Sequence, residues 1–144
     1  MKIKDEKKKV QQIKGIELVI ESEELDTYDF YGFSLTVTED KRIASGGKDG
    51  NISISSYDVH ERIWKREKHK KEAHNSYITA LCPLNGNRLI SSGSMGGLIK
   101  VWSLSDVDLT LIKEIKGHTW IVRKVIPLSK ERFASCCYDS TVKI

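Results

Sequence analysis

Arg42–Ser55 reads RIASGGKDGNISIS, Arg88–Trp102 reads RLISSGSMGGLIKVW, and Arg132–Ile144 reads RFASCCYDSTVKI. The three stretches are one pattern repeated at intervals of about 45 residues, a period that marks a stack of supersecondary units. Each copy opens on a basic residue and continues through a short apolar and small-residue run containing serine. A turn of Gly, Asp, Ser or Asn follows. The apolar positions then alternate, as Ile52/Ile54, Leu98 or Ile99/Val101, and Val142/Ile144. Alternation on both sides of a turn cluster predicts two strands joined as a hairpin.

The similarity reaches further upstream in the second and third copies. AHNSYITALCPLNGN before Arg88 aligns with GHTWIVRKVIPLSKE before Arg132, so His74 matches His118, Ile78 matches Val122, and Pro83 matches Pro127. The first copy has YDFYGFSLTVTEDK there, with Tyr28 in the histidine place and a Phe33/Leu35/Val37 alternation that still predicts a strand. Arg62–Arg66 and Leu109–Ile115 are the candidates for a fourth strand in the first two units. The expected fold is all-β, built of four-stranded antiparallel blades with no helix longer than about two turns. The repeats cover approximately residues 28–66, 74–115 and 118–144, which makes about three blades in an incomplete ring.

These repeats resemble the WD-repeat β-propeller family. The resemblance implies a series of hydrogen-bonded side chains in each blade: His before the inner strand, Ser or Thr on the second, Asp in the next turn, and Trp on the third. Buried polar groups of this kind are costly unless paired, so a satisfied series holds a blade in one geometry. Matched residue by residue, the third unit supplies His118, Ser135 and Asp139, and Ile144 stands one residue before the Trp place. The second supplies His74, Ser92 and Trp102, with Gly96 in the Asp place of a turn one residue longer than its counterparts. The first keeps Ser45 and Asp49, with Ser55 in the Trp place.

Composition fits a globular protein, with 39% hydrophobic and 31% charged residues and a net charge of +4. Ile16–Ile20, the best apolar stretch, is interrupted by Glu17 and is far too short to span a bilayer, so no membrane role is expected. MKIKDEKKKV is basic but lacks the apolar region of a secretory signal after it. A cytoplasmic location is expected, with a nuclear one the alternative. Cys82, Cys136 and Cys137 lack metal-ligand spacing and are expected to be reduced structural thiols.

Residues 1–12 read as a charged tail, and residues 13–144 as the partial propeller. Alternation over Ile16, Leu18 and Ile20 predicts one more strand, suited to complete the third unit as its outer strand. Three blades are below the count of a closed ring, and an uncovered blade exposes apolar surface and a strand edge. Further blades of a longer parent chain are the favoured completion. Self-association of two chains through their open blades is the other.

No motif for catalysis, a cofactor or a metal emerges. His118, Ser135 and Asp139 recur by repeat, not as a nucleophile elbow, and GGKDG lacks the Lys-Ser/Thr ending of a phosphate loop. The chain is therefore expected to be a non-enzymatic scaffold that binds a protein on the propeller loops. Family positions for partner contact fall on Lys48, Met95 and Tyr138 in the turns, and on Tyr31, Ser76, Thr79, Trp120 and Arg123 near the inner strands. Trp120 stands out because it occupies a polar loop and aromatic side chains and Arg are favoured binding anchors. The runner-up is a subunit of a ribonucleoprotein or nucleic-acid complex that uses the basic run over residues 62–71, where electrostatics alone would attract phosphate.

Overall fold

The computed structural model describes residues 9–13, 16–20, 32–105 and 108–144, with backbone alone for the first two stretches and for Phe33. Thirteen strands occur among them, and no helix. The first blade is β3 (Gly32–Val37), β4 (Ile43–Gly47), β5 (Ile52–Asp58) and β6 (Ile63–Lys70). The second is β7 (Ile78–Leu84), β8 (Arg88–Gly93), β9 (Leu98–Leu104) and β10 (Leu109–Lys116). The third has three strands, β11 (Val122–Pro127), β12 (Phe133–Cys137) and β13 (Val142–Lys143). All pairings are antiparallel between sequence neighbours, as expected of strands connected by short turns.

The N-terminal strand departs from expectation. Ile16–Ile20 (β2) pairs antiparallel with Lys9–Ile13 (β1) in a separate two-stranded sheet and does not extend the third blade. The expected charged tail accordingly includes strand from Lys9 onward, while residues 1–8 lie outside the described residues. Val10 and Ile13, the only apolar residues of β1, stand three apart and so on opposite faces, which leaves β1 without the alternation that would have marked it.

Period-2 alternation creates two cores. Ala44, Ile52 and Ile54 from the first blade meet Ile78, Leu81, Leu89, Trp102 and Leu104 from the second. On the opposite face of the second blade, Ala80, Cys82, Ile90, Ile99 and Val101 meet Val122 and Val125 of the third, with Phe133 packed alongside. The second blade is thus apolar on both faces, which is why ITALC and LISS lack a simple polar alternation.

At one edge of the blades, Glu39 accepts from the backbone N–H groups of Gly86 and Asn87 at 2.9 and 3.2 Å, and Arg88 donates to the Lys130 carbonyl at 2.8 Å. At the other edge, His74 N–H donates to the Gly50 carbonyl at 3.0 Å. Gly50 has φ +74°, and a Cβ there would lie 2.1 Å from the His74 carbonyl oxygen. A side chain at position 50 is therefore excluded by both conformation and the next blade.

The outward positions of the end blades are uncovered. Leu35, Leu81 and Val125 hold equivalent places, opposite Ser45, Ser91 and Ser135 respectively. Leu81 is 7% exposed inside its junction, whereas Leu35 is 70% exposed. Val142 and Ile144 are likewise open, although their counterparts Ile52 and Ile54 are fully buried. A further blade would cover such a face by the same packing that joins the described blades.

Candidate functional site

Two sets of polar and aromatic side chains follow from this stacking, one closed inside the blades and one displayed on their loops. In the third blade, His118 Nδ1 lies 2.8 Å from Asp139 and Nε2 lies 2.8 Å from Ser135 Oγ. A carboxylate only accepts, so Nδ1 carries the proton, and in the neutral ring Nε2 accepts from the serine hydroxyl. Asp139 also accepts from the Thr141 hydroxyl at 2.6 Å and from Thr119 N–H at 3.1 Å. The Thr141 hydroxyl, with His118 and the backbone donors of Thr119 and Thr141, holds the Asp139 carboxyl well below the usual carboxylate range.

The second blade differs at one expected member. Ser91, not Ser92, joins the series: its hydroxyl lies 2.7 Å from His74 Nε2 and accepts Trp102 Nε1–H at 2.7 Å. Successive strand side chains face opposite ways, and Ser91 shares the face of Leu89 and Trp102. Ser92 points instead toward Thr79, 3.3 Å away, at the other junction. The longer turn is present, since Ser91 pairs with Lys100 across it, while Ser45 pairs with Ser53 and Ser135 with Lys143. Gly96 takes φ +68° in open space.

Without an aspartate beside it, buried His74 is pushed down to about 4 by burial, with Lys100 adding to the shift. A histidine whose folded value is depressed contributes stability that is complete above the unfolded value of about 6.5 and is lost as pH falls toward 4. We expect urea denaturation to show a loss on the order of 3 kcal/mol from this group across that window. His74→Gln should flatten the profile there. Parallel profiles for the two proteins would assign the acid sensitivity elsewhere.

The first blade keeps only part of the pattern. Asp49 accepts from Asn51 N–H at 3.1 Å and from its side-chain amide at 2.6 Å, so it braces the turn. Ser45 Oγ reaches the Ser53 carbonyl at 3.5 Å. Ser55, in the Trp place, is buried, and its hydroxyl lacks a partner among the described residues. Tyr28 and Tyr31 lie outside the described residues.

Ser135, His118 and Asp139 are ordered like a nucleophile, base and orienting acid. Ser135 and His118 are both buried, however, and the serine is closed to a substrate. His118, Cys137 and Asp139 place ligand atoms within 4.8 Å of one another. Those atoms already serve each other and the turn: Asp139 N–H reaches Cys137 Sγ at 3.3 Å, and His118 pairs with Asp139. The arrangement locks the hairpin turn against the histidine loop. Cys82 is buried and its thiol is pushed up to about 11, a value that makes it inert.

The displayed set lies at the blade edge where these turns meet the loops before the inner strands. Ser94 N–H donates to the Tyr77 carbonyl at 2.8 Å, and Tyr138 N–H to the Ile121 carbonyl at 3.0 Å. These bonds gather the sequence-selected residues. Trp120 and Tyr138 pack edge to face at 6.1 Å, with an interplanar angle of 75°. Arg123 lies over the Tyr138 ring at 5.4 Å, and Lys48 over Tyr77 at 5.8 Å. Trp120 is 58%, Tyr138 54% and Met95 71% exposed. Met95 N–H is held by Ser76 Oγ at 3.1 Å.

Thr79 falls outside this set, because its hydroxyl donates to the Val122 carbonyl at 2.6 Å in the blade junction. Tyr77 belongs to the displayed set but was not selected from sequence. Its place immediately before β7, in the loop that carries His74, is the signal that could have found it.

The basic run has a different setting. Lys65 pairs with Asp58 at 2.9 Å and Glu61 at 2.8 Å, and Lys68 lies 3.6 Å from Glu67. Trp64 packs against Tyr57 at 5.6 Å, covering its neighbour on β5. Lys65 and Lys68 are thus offset by neighbouring acids along the outer edge strand, where charged side chains also discourage edge pairing.

A family model described as WD domain, G-beta repeat matches residues 65–103 and 109–144, more than half of the chain. The matched repeats begin in or at the outer strands β6 and β10, so each supplies one blade's outer strand and the next blade's inner three. Among curated proteins, the chain is 32% identical over 79 residues to a probable cytosolic Fe-S cluster assembly factor of Schizosaccharomyces japonicus (strain yFS275 / FY16936), covering 54% of this chain and 13% of that protein. It is 31% identical over 100 residues to kinesin-like protein KIF21B of Mus musculus, covering 69% of this chain and 6% of the relative. The chain therefore spans a small part of these relatives.

Among solved structures, the RRP9 WD40 repeats superpose with a TM-score of 0.71 at 21% identity, covering 83% of this chain and 36% of that one. The WD40 beta propeller domain of Doa1 gives 0.67 at 17% identity, covering 83% and 38%. Both are likenesses of fold.

Proposed function

The chain belongs to the WD-repeat family, and from that premise we propose that it is a non-enzymatic scaffold that captures a protein partner on its loop face. Propellers of this family generally serve protein–protein interaction. The observation that carries the reading here is the exposed Trp120–Tyr138–Arg123 group, set on turns whose ends are fixed by strands. Preset anchors lose little freedom on binding, so more of their contact energy appears as affinity. Leu35, Val142 and Ile144 support additional blade contacts, from the same polypeptide or a second copy. Its three free thiols support a cytoplasmic setting.

An RNA-binding reading makes different demands. Neutralising Lys65, Arg66, Lys68, Lys70 and Lys71 together should leave capture of a protein partner little changed. RNA bound through phosphate contacts loses affinity steeply as salt rises, because released counterions drive the association. Titrating RNA into the parent chain and the neutralised variant at increasing salt separates the two. Tight, salt-sensitive RNA binding that disappears with those charges would replace the scaffold reading.

A further inference from the structure

We propose that the ligand of the loop face is an acidic peptide segment in which carboxylates flank an apolar side chain. This inference rests on the reading of that face as a protein-binding surface. Two cations, Lys48 and Arg123, are exposed there, and each lies over a tyrosine ring, Tyr77 and Tyr138. Neither forms an ion pair with a described carboxylate. Asp49 is engaged by Asn51, and Asp139 by His118 and Thr141, so these two acids are committed to the turns. Among the described residues, the face therefore presents positive charge without local compensation.

Ring geometry favours a peptide over single-stranded nucleic acid. Stacking a base requires an open aromatic face. Lys48 and Arg123 occupy one face each of Tyr77 and Tyr138, and Trp120 approaches Tyr138 edge to face. Cations above the rings and the electropositive ring edges suit carboxylates better than a run of stacked bases. Met95, unbranched and well exposed on the adjoining turn, adapts readily to an apolar side chain between the acids.

Random peptides displayed on phage can be selected against the intact chain, and the enriched sequences synthesised with a fluorescent label. Enriched peptides should carry at least two Asp or Glu around an apolar residue. Their affinity should fall roughly tenfold or more in Lys48→Ala/Arg123→Ala, the order seen when anchor residues are truncated. Poly-U, titrated as the RNA probe, should bind more weakly than the enriched peptides. Thermal melting checks that both variants used remain folded.

Neutral or basic winners that still require Trp120 would overturn the acidic ligand while leaving a protein-binding face. Winners indifferent to Trp120→Ala would remove both readings. No enrichment, or tighter binding of poly-U, also overturns the proposal.

Discussion

Replacing Trp102 by alanine is expected to cost about 3–5 kcal/mol, the range for deleting a large buried aromatic side chain. The indole is 2% exposed and packs in the junction that joins the first two blades. Its N–H also donates to Ser91, whose hydroxyl meets His74. Alanine would empty the site and leave the Ser91–His74 pair without its third member. A loss of this size is a large part of the stability of an ordinary domain, so urea should unfold the variant at much lower concentration. Trp102→Phe separates the causes: it keeps most of the packing and removes the hydrogen bond, for an expected cost of about 1 kcal/mol. If Trp102→Ala were as stable as Trp120→Ala, the described core would be wrong.

The second large effect is on recognition. Trp120→Ala combined with Arg123→Ala should weaken partner binding by at least about 2 kcal/mol, the scale of an interface hot spot, while leaving the melting temperature close to that of the parent. Trp120 packs edge to face on Tyr138, and Arg123 lies over the same ring, so the two truncations act on one cluster. Their effects are therefore not expected to add as independent sites. Equal capture by the parent and the double variant, measured with immobilised chains in parallel, would move recognition off this cluster.

The blades were legible because their repeats carry both period and register. Ile52 and Ile54 alternate with Ser53 and Ser55, and the structure buries all of these positions within the first sheet. The hydrogen-bonded serine of the second blade was misplaced by one residue because Ser91 and Ser92 are adjacent and the following turn is longer. Counting from the basic residue resolves it: Ser45, Ser91 and Ser135 each stand three positions after Arg42, Arg88 and Arg132. A shift of one residue sends a strand side chain to the opposite face, so the error exchanged a network member for a junction residue.

The pairing of β2 was less accessible. Its alternation marks a strand but does not name its neighbour, and β1 presents only Val10 and Ile13 as apolar residues. The loop-face candidates were recognisable individually by type and repeat position. Their assembly was not: Lys48 meets Tyr77 across two blades, and Arg123 meets Tyr138 through the fold of the third. Such pairs depend on where turns are brought together, information absent from local periodicity. The acids that temper the basic run are close in sequence, but their actual pairing with Lys65 depends on the bend between β5 and β6.

The most direct test of loop-face recognition is site-specific photocrosslinking. A benzophenone amino acid placed at Tyr138 probes the displayed turns, and the same residue at Ile112 probes the exposed outer strand β10. The account predicts that a partner in a cell extract crosslinks strongly through position 138 and little through position 112, with excess unlabelled parent chain suppressing the adduct. Strong, competed crosslinking at position 112 with none at 138 would contradict recognition through the loop face.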